Sequence, residues 1–376
     1  MSDQVLEKMI SSYLFTPQDI YSFGWQGGEP TLLGMPFFQR VVEFQEKHGK
    51  GGKRVANGLQ TNATLLTEDM ARLFKDYHFL LGVSIDGPEE VHNTYRTNTK
   101  GKGSHSAVLR GIELLQKHEV EFNALVLVSK SNVDKAEKVY NYLKELGIVH
   151  HQYIPCVEWG PEGQLAPFSI TGMEWGTFLN RIFDLWWEKD TRTVSVRHFD
   201  AIVRQIALHE RSMCTQWGNC TQYFVVEHNG DVYPCDFFVE KSKRLGNVTE
   251  DSWNDLQNSK KYNNFGRRKA EWHDECYRCP YLIFCSGDCL KHRIRPGGDH
   301  HSLSHLCSGW RQFYGHTLER FEQISLEILN EQRAYQSRGQ ALPLDQLPSE
   351  RVGWNSLCPC GSGKKYKDCH GFAHRK

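Results

Sequence analysis

The sequence predicts an α/β protein, a partial parallel (β/α) barrel missing its first strand, followed by a cysteine-rich domain and a small Cys/His tail. Three observations carry this expectation. From Asp3 to about Tyr153 short apolar runs alternate with longer amphipathic ones, repeating at roughly 25 to 40 residues as in a parallel βα array. Eight of the twelve cysteines, Cys214, Cys220, Cys235, Cys276, Cys279, Cys285, Cys289 and Cys307, crowd into one block. The last three, with His370, close the chain at Cys358, Cys360 and Cys369.

Taken in order, the array opens on an amphipathic helix over residues 4–14, and 20–25 reads as a strand. The next helix, 36–46, has Phe37, Phe38, Val41, Val42 and Phe44 on its apolar side. Residues 54–60 are a second strand, weakened by Asn57 and Gly58, and Thr67 caps the helix that buries Met70, Leu73 and Phe74. A buried strand (79–85), a helix (106–117), a continuous apolar strand (122–128), a helix (135–146) stopped by Gly147 and a last strand (151–156) complete the array. Five strands result, each preceded by a helix. Since the chain opens on a helix, one strand is expected to be missing at the front, leaving an unpaired edge of the kind native sheets avoid. Residues 173–209 read as helices, about 310–338 as a final helix, and 339–353, with Pro343 and Pro348, as a linker.

Composition bounds the partners. The 376 residues are 39% hydrophobic and 24% charged with zero formal net charge, which gives no global basic field for DNA. No apolar run reaches the roughly 18 residues of a membrane span, and the N-terminus lacks the pattern of a signal peptide. A cytoplasmic protein is expected, where thiols stay reduced and dense cysteines bind metal. Eight thiolates suffice for two four-cysteine centres, and CxxC spacing serves zinc and iron–sulfur clusters alike.

In a βα barrel the chemistry lies where strands end. Gly27-Gly28-Glu29-Pro30 follows the first visible strand, Thr61-Asn62 the second, Ser84-Asp86-Gly87-Pro88 closes the third, and Cys156-Glu158 the last. Glycines admit a ligand close to the backbone, and a carboxylate after them can hold an ammonium group. Singly, GGEP and DGP also read as turns; their recurrence at one barrel end favours a binding site.

Trp25-Gln26-Gly27-Gly28-Glu29-Pro30-Thr31, Gln60-Thr61-Asn62, Ser84-Ile85-Asp86-Gly87-Pro88 and Tyr95-Arg96 together resemble the radical SAM superfamily. The cysteine block resembles the SPASM domain of its peptide-modifying branch, and the combined motifs resemble the anaerobic sulfatase-maturating enzymes over residues 1–338. The resemblance implies a radical SAM barrel in which Glu29, with Gly27 and Gly28, holds the amino group of S-adenosylmethionine. Ser84 and Arg96 would contact its ribose and carboxylate, and Asn62 is a further candidate. It implies one auxiliary 4Fe-4S cluster on Cys214, Cys220, Cys235 and Cys289 and a second on Cys276, Cys279, Cys285 and Cys307. Asp236 resembles the general base that deprotonates the target Ser or Cys of a sulfatase on its way to Cα-formylglycine; on sequence alone it also reads as an Asx-turn after Pro234-Cys235. An electron donor such as flavodoxin or ferredoxin is implied as well. Other SPASM peptide maturases, forming thioethers or crosslinks, share these motifs, and a non-catalytic iron–sulfur and zinc protein is the alternative of a different class.

One departure stands out. The family's CxxxCxxC loop, whose thiolates bind the SAM-cleaving cluster, does not occur, and the first cysteine, Cys156, reads as a packed thiol. With the missing first strand this leads us to expect that about 40 residues are absent at the N-terminus relative to the family architecture, and that the chain as written is inactive for want of that cluster. A cluster-free paralogue is the alternative expectation.

The tail Cys-Pro-Cys-Gly-Ser-Gly-Lys-Lys-Tyr-Lys-Asp-Cys-His-Gly resembles the SEC-C motif. Cys358, Cys360, Cys369 and His370 would close a tetrahedral zinc shell, and Lys364, Lys365 and Lys367 would either contact a partner protein or the ribosome or form a solvated basic face. The expected organisation is a partial barrel over 1–170, connecting helices over 171–212, a SPASM domain over 213–309, a helix over 310–338, a linker over 339–353 and the SEC-C motif over 354–376.

Overall fold

Helix α1 (Asp3–Leu14) starts the chain, with the Ser2 hydroxyl accepting from the Val5 amide. It packs on α2 through buried Leu6, Met9, Ile10 and Leu14. Strand β1 (Tyr21–Trp25) leads to α2 (Gly34–His48), and β2 (Val55–Thr61) to α3 (Glu68–Asp76). Strand β3 (Leu80–Ser84) is followed by the short α4 (Glu89–His92) and by α5 (His105–Lys117). Then come β4 (Phe122–Val128), α6 (Ala136–Glu145), β5 (His150–Pro155), α7 (Gly172–Lys189), β6 (Ser195–Val196) and α8 (Arg197–Leu208). In this computed structural model, which describes residues 1–337, the six strands form one all-parallel sheet in sequential order. That connectivity is the one a (β/α) barrel requires. Among the described residues β1 carries no strand on its outer edge.

The sheet has six strands where the sequence predicts five. The additional one lies inside 171–212, read as connecting helices. Only two residues pair there, Ser195 with His150 and Val196 with His151, too short a run to register against two strongly amphipathic neighbours. The indole of Trp186 donates to the Val194 carbonyl at 2.8 Å and fixes the approach to the strand. Asp190, accepting from Tyr140 Oη at 2.8 Å and Lys144 Nζ at 2.6 Å, fastens the end of α7 to α6.

Asn57, a weak strand former, has a compensation. Its buried amide accepts from the Trp25 indole at 3.0 Å and exchanges two bonds of 2.9 Å with Gln45, so no polar atom of the pair is stranded. Helix α14 (Cys307–Ser337) begins before the expected start at 310 and lies along α7 and α8, burying Trp310, Phe313, Tyr314, Phe321 and Ile324. The contact depends on glycine: a Cβ on Gly309 would sit 1.9 Å from the Gly172 carbonyl oxygen.

Between α8 and α14 lies the cysteine-rich domain. Strands β7 (Val225–Val226), β8 (Asp231–Tyr233) and β9 (Gly246–Asn247) form an antiparallel sheet, and helices α9 (Trp253–Asn258), α10 (Lys260–Arg267), α11 (Asp274–Tyr277), α12 (Leu282–Cys285) and α13 (Leu290–Arg293) follow. Trp253 ties this domain back to the first helix, donating to Ser12 Oγ at 2.9 Å and packing edge-on against Tyr13. The expected linker and the zinc ligands Cys358, Cys360, Cys369 and His370 fall outside the described residues.

Candidate active site between barrel and cysteine-rich domain

The residues at the strand ends converge. Gly27 and Gly28, exposed and with φ of +108° and +55°, turn the chain after β1 in a conformation that side-chain-bearing residues resist. They present Glu29 to the end of β2. Glu29 Oε1 accepts from the Thr31 amide (3.0 Å), Thr31 Oγ1 (2.6 Å) and Thr61 Oγ1 (2.7 Å), while Oε2 accepts the Asn62 amide at 2.7 Å. A carboxylate offers about four lone-pair directions, so the fixed group keeps one side of Oε2 for a cationic ligand. Asn62 contributes its backbone here; its side chain turns away to cap Thr64.

Ser84 ends β3, half-buried. Two residues on, buried Asp86 grips Arg96 through both carboxylate oxygens, at 2.5 Å to Nε and 3.2 Å to Nη2, and accepts the Leu127 amide at 2.9 Å. His92, itself buried, accepts the Asp86 amide through Nδ1 and contacts Ser104 through Nε2. Burial and the neighbouring Arg96 push its pKa down to about 3, so the ring is neutral and free to accept. The sequence reading places Asp86 among the polar residues at the strand ends without a role of its own; the structure makes it the anchor of Arg96.

From the other domain, β8 delivers Cys235 and Asp236. Asp236 Oδ2 accepts from Gln26 Nε2 at 3.0 Å, so the residue preceding the two glycines touches the cysteine-rich domain directly. Its Oδ1 accepts from Tyr223 Oη at 2.9 Å and lies 3.4 Å from Cys235 Sγ. Gln26 and Tyr223 were not singled out in sequence, since nothing local marks either as a partner of a carboxylate. A second strap joins the domains, where Lys291 pairs with Glu158 and covers the Phe237 ring at 4.5 Å.

The eight thiols fall into the two expected quartets. Cys276, Cys279, Cys285 and Cys307 line one cavity, walled by Tyr281, Trp310 and Tyr314. In the other set Cys220 and Cys289 each feel the charge of Cys214, Tyr223 touches Cys235, and Cys220 and Cys235 pack on the same small cluster of Phe238, Phe265 and Leu290. None is in a disulfide. Burial raises the thiol pKa of Cys235 to about 12 and of Cys307 to about 11, so cluster binding there must displace protons. Four thiols in each group match the four-thiolate shell that a 4Fe-4S cluster or zinc accepts. Cys156 is buried, as expected of a packed thiol. His300 and His301 instead meet Glu271 at the surface, the three offering ligand atoms within 4.8 Å of one another.

Comparison with known proteins agrees with this geometry. Residues 1–143 match the radical SAM superfamily, 214–280 the SPASM iron–sulfur cluster-binding domain, and 355–372 the SEC-C motif. The chain is 35% identical over 352 residues to the serine-type anaerobic sulfatase-maturating enzyme of Bacteroides thetaiotaomicron, covering 88% of this chain and 84% of that one. The chain belongs to the anaerobic sulfatase-maturating enzyme family. The cysteine-type maturase of Clostridium perfringens is likewise 35% identical, over 87% of this chain and 90% of its own. Among solved structures, a native maturase with bound AdoMet and a cysteine-containing peptide, titled Cp18Cys, superposes with a TM-score of 0.83, at 35% identity, over 87% of this chain and 92% of its own. Radical SAM and SPASM membership implies S-adenosylmethionine and iron–sulfur clusters as cofactors, and no described helix of this chain is long and apolar enough to cross a membrane.

Proposed function

We propose that this chain is built for sulfatase maturation: supplied with the CxxxCxxC loop that its sequence lacks, it converts an active-site Cys or Ser of a sulfatase polypeptide to Cα-formylglycine. The observation that carries the reading is the Gln26–Asp236 bond, which sets a carboxylate between the GGEP loop and Cys235. S-adenosylmethionine, reduced by a cluster on a CxxxCxxC loop that this sequence lacks, would supply the radical that takes a hydrogen atom from the target β-carbon, and an auxiliary cluster would accept the remaining electron. The protein's own residues do the rest. Glu29 holds the ligand's ammonium with Oε2, and Arg96, oriented by Asp86, holds its carboxylate with Ser84 alongside. Asp236 removes the thiol or hydroxyl proton of the target. Gln26 and Tyr223 occupy one lone pair on each of its oxygens, fixing the carboxylate while leaving a lone pair for that proton.

The quartets Cys214, Cys220, Cys235, Cys289 and Cys276, Cys279, Cys285, Cys307 are the auxiliary cluster ligands in this reading, and Cys358, Cys360, Cys369 and His370 hold zinc. A flavodoxin or ferredoxin serves as electron donor in a reducing cytoplasm, and a protein or ribosomal partner meets the SEC-C lysines. Because the sequence holds no CxxxCxxC, the test compares the 376-residue chain with the same chain carrying such a segment in frame before Met1. Each is co-expressed anaerobically with a sulfatase, and the sulfatase active-site peptide is weighed. The mass loss of formylglycine with the extended chain supports the proposal; an unmodified peptide, with the clusters loaded, rejects it.

A further inference from the structure

Two cations are buried where the quartets meet. Lys269 is 0% and Arg293 2% exposed, a placement these side chains take up only when paired. Lys269 Nζ donates to the carbonyls of Thr215 (3.2 Å), Ser286 (2.9 Å) and Asp288. Three acceptors around one nitrogen need three N–H groups, which only the ammonium form has. Arg293 donates from Nε to the Gly287 carbonyl at 2.6 Å and from Nη2 to those of Ser286 and Asp288 at 3.0 and 3.4 Å. Its Nη1 is buried without any partner.

Apart from that of Thr215, the carbonyls come from Ser286, Gly287 and Asp288, three successive residues with φ of +46°, +68° and +62°. Two of these are not glycine, so the turn is held against its own backbone preference. The segment runs from Cys285, in one quartet, to Cys289, in the other. Lys269 feels the charges of Cys289 and Cys220, whereas Arg293 feels Cys276 and Cys285 and, more weakly, Cys220. One buried carboxylate is at hand, Asp288, and it already accepts from His292 Nδ1 (2.9 Å) and Ser304 Oγ (2.6 Å). The protein alone therefore leaves a surplus of buried positive charge and an orphaned donor, both costly. Anionic clusters on the quartets would offset the charge, and a cluster sulfur would satisfy the donor.

We propose that Lys269 and Arg293 are the built-in counter-cations of the two auxiliary clusters. Lys269 serves the cluster of Cys214, Cys220, Cys235 and Cys289, and Arg293 serves that of Cys276, Cys279, Cys285 and Cys307, with Nη1 donating an N–H···S bond to it. The inference rests on the iron–sulfur reading of the quartets. Reduction adds one negative charge to a cluster, so a fixed neighbouring cation stabilises the reduced form and raises the potential. Set between the two sites, the pair lowers the electrostatic cost of moving an electron from one to the other.

The test is an EPR-monitored redox titration of the anaerobically reconstituted full chain. Arg293→Met is expected to lower the equilibrium constant for reduction of the second cluster at least tenfold, a fall of about 59 mV for a one-electron couple. Lys269→Met should do the same for the first cluster, and Arg293→Lys, which keeps the charge, should stay within threefold. Potentials unchanged within threefold in both methionine variants would overturn the proposal, since a purely structural role predicts that result in any variant that loads. If the methionine variants do not assemble, wild-type chain labelled with ¹⁵N-arginine decides. A ¹⁵N hyperfine coupling at a reduced auxiliary cluster that vanishes in Arg293→Lys supports the bond, and no such coupling overturns it. Wild-type material with far less than about eight iron and eight sulfide per chain would instead reject the iron–sulfur reading beneath it.

Discussion

Asp86→Ala tests the assignment of the ligand-binding half of the site without touching any residue placed against S-adenosylmethionine. The substitution removes both contacts that orient Arg96, at 2.5 and 3.2 Å, and the acceptor of the Leu127 amide. A charge-assisted hydrogen bond from Arg96 to the ligand carboxylate is worth roughly 1.5–3 kcal/mol, or roughly 10- to 150-fold in Kd. If Asp86 acts on the ligand only through Arg96, its bond to the Leu127 amide being structural, Asp86→Ala forfeits at most that amount of binding. The two substitutions must also couple: Asp86→Ala/Arg96→Ala should bind no more weakly than Arg96→Ala alone. Isothermal titration of S-adenosylmethionine into the anaerobic full chain at fixed salt reads all four corners of the cycle, with circular dichroism reporting that each variant is folded. Additive losses, or an Asp86→Ala affinity within threefold of wild type beside an Arg96→Ala loss above tenfold, would refute the positioning argument.

Asn57→Ala strands the Trp25 indole and the Gln45 amide in the core, at about 1–3 kcal/mol per orphaned group, and a thermal melt should show a clear fall in the midpoint. Buried His92 and His151 and half-buried His198 are neutral, with pKa lowered by desolvation to about 3 for His92 and about 4 for His151 and His198. The unfolded chain takes up these protons near pH 6.5 and the folded chain only near 3 to 4, so stability is full above 6.5 and is lost as pH falls through that window. At pH 5.5 the loss is about 1 kcal/mol per group, and a melting midpoint flat between pH 8 and 5.5 would contradict it. Cys276→Ala and Cys235→Ala should each remove one cluster, about four irons, leaving different residual EPR spectra; a zinc shell in either place would leave iron content unchanged. Cys358→Ser should lower bound zinc by one equivalent in metal analysis while auxiliary iron stays constant.

The parts of the fold that were legible in the sequence are those with long, unmixed patterns. Strand β4 keeps the run Phe122–Val128, burying Ala124, Leu125, Val126 and Val128, and Thr67 caps α3 where expected. Strand β6 escaped notice because its two residues carry no periodicity and owe their pairing to Trp186 and Asp190, which act from a neighbouring helix. The candidate site divides the same way. Glu29, Arg96, Asp236 and the cysteines stand in local motifs, but the groups that hold them do not. Asp86 meets Arg96 across a loop, Gln26 meets Asp236 across 210 residues, and Lys269 and Arg293 read as ordinary surface charges until the cysteine segment folds around them. Long-range partnership leaves no local pattern to read.

Asp236 is where the two halves of the account meet, and one measurement reaches it most directly. In the chain carrying an in-frame CxxxCxxC segment, the rate of formylglycine formation on a sulfatase peptide is followed by mass spectrometry for wild type and Asp236→Asn. Cluster content and S-adenosylmethionine affinity are matched between the two. Loss of a positioned general base is expected to slow the reaction by roughly 10²- to 10⁴-fold with both auxiliary clusters still loaded. Product formed at the full wild-type rate by Asp236→Asn would contradict the central claim.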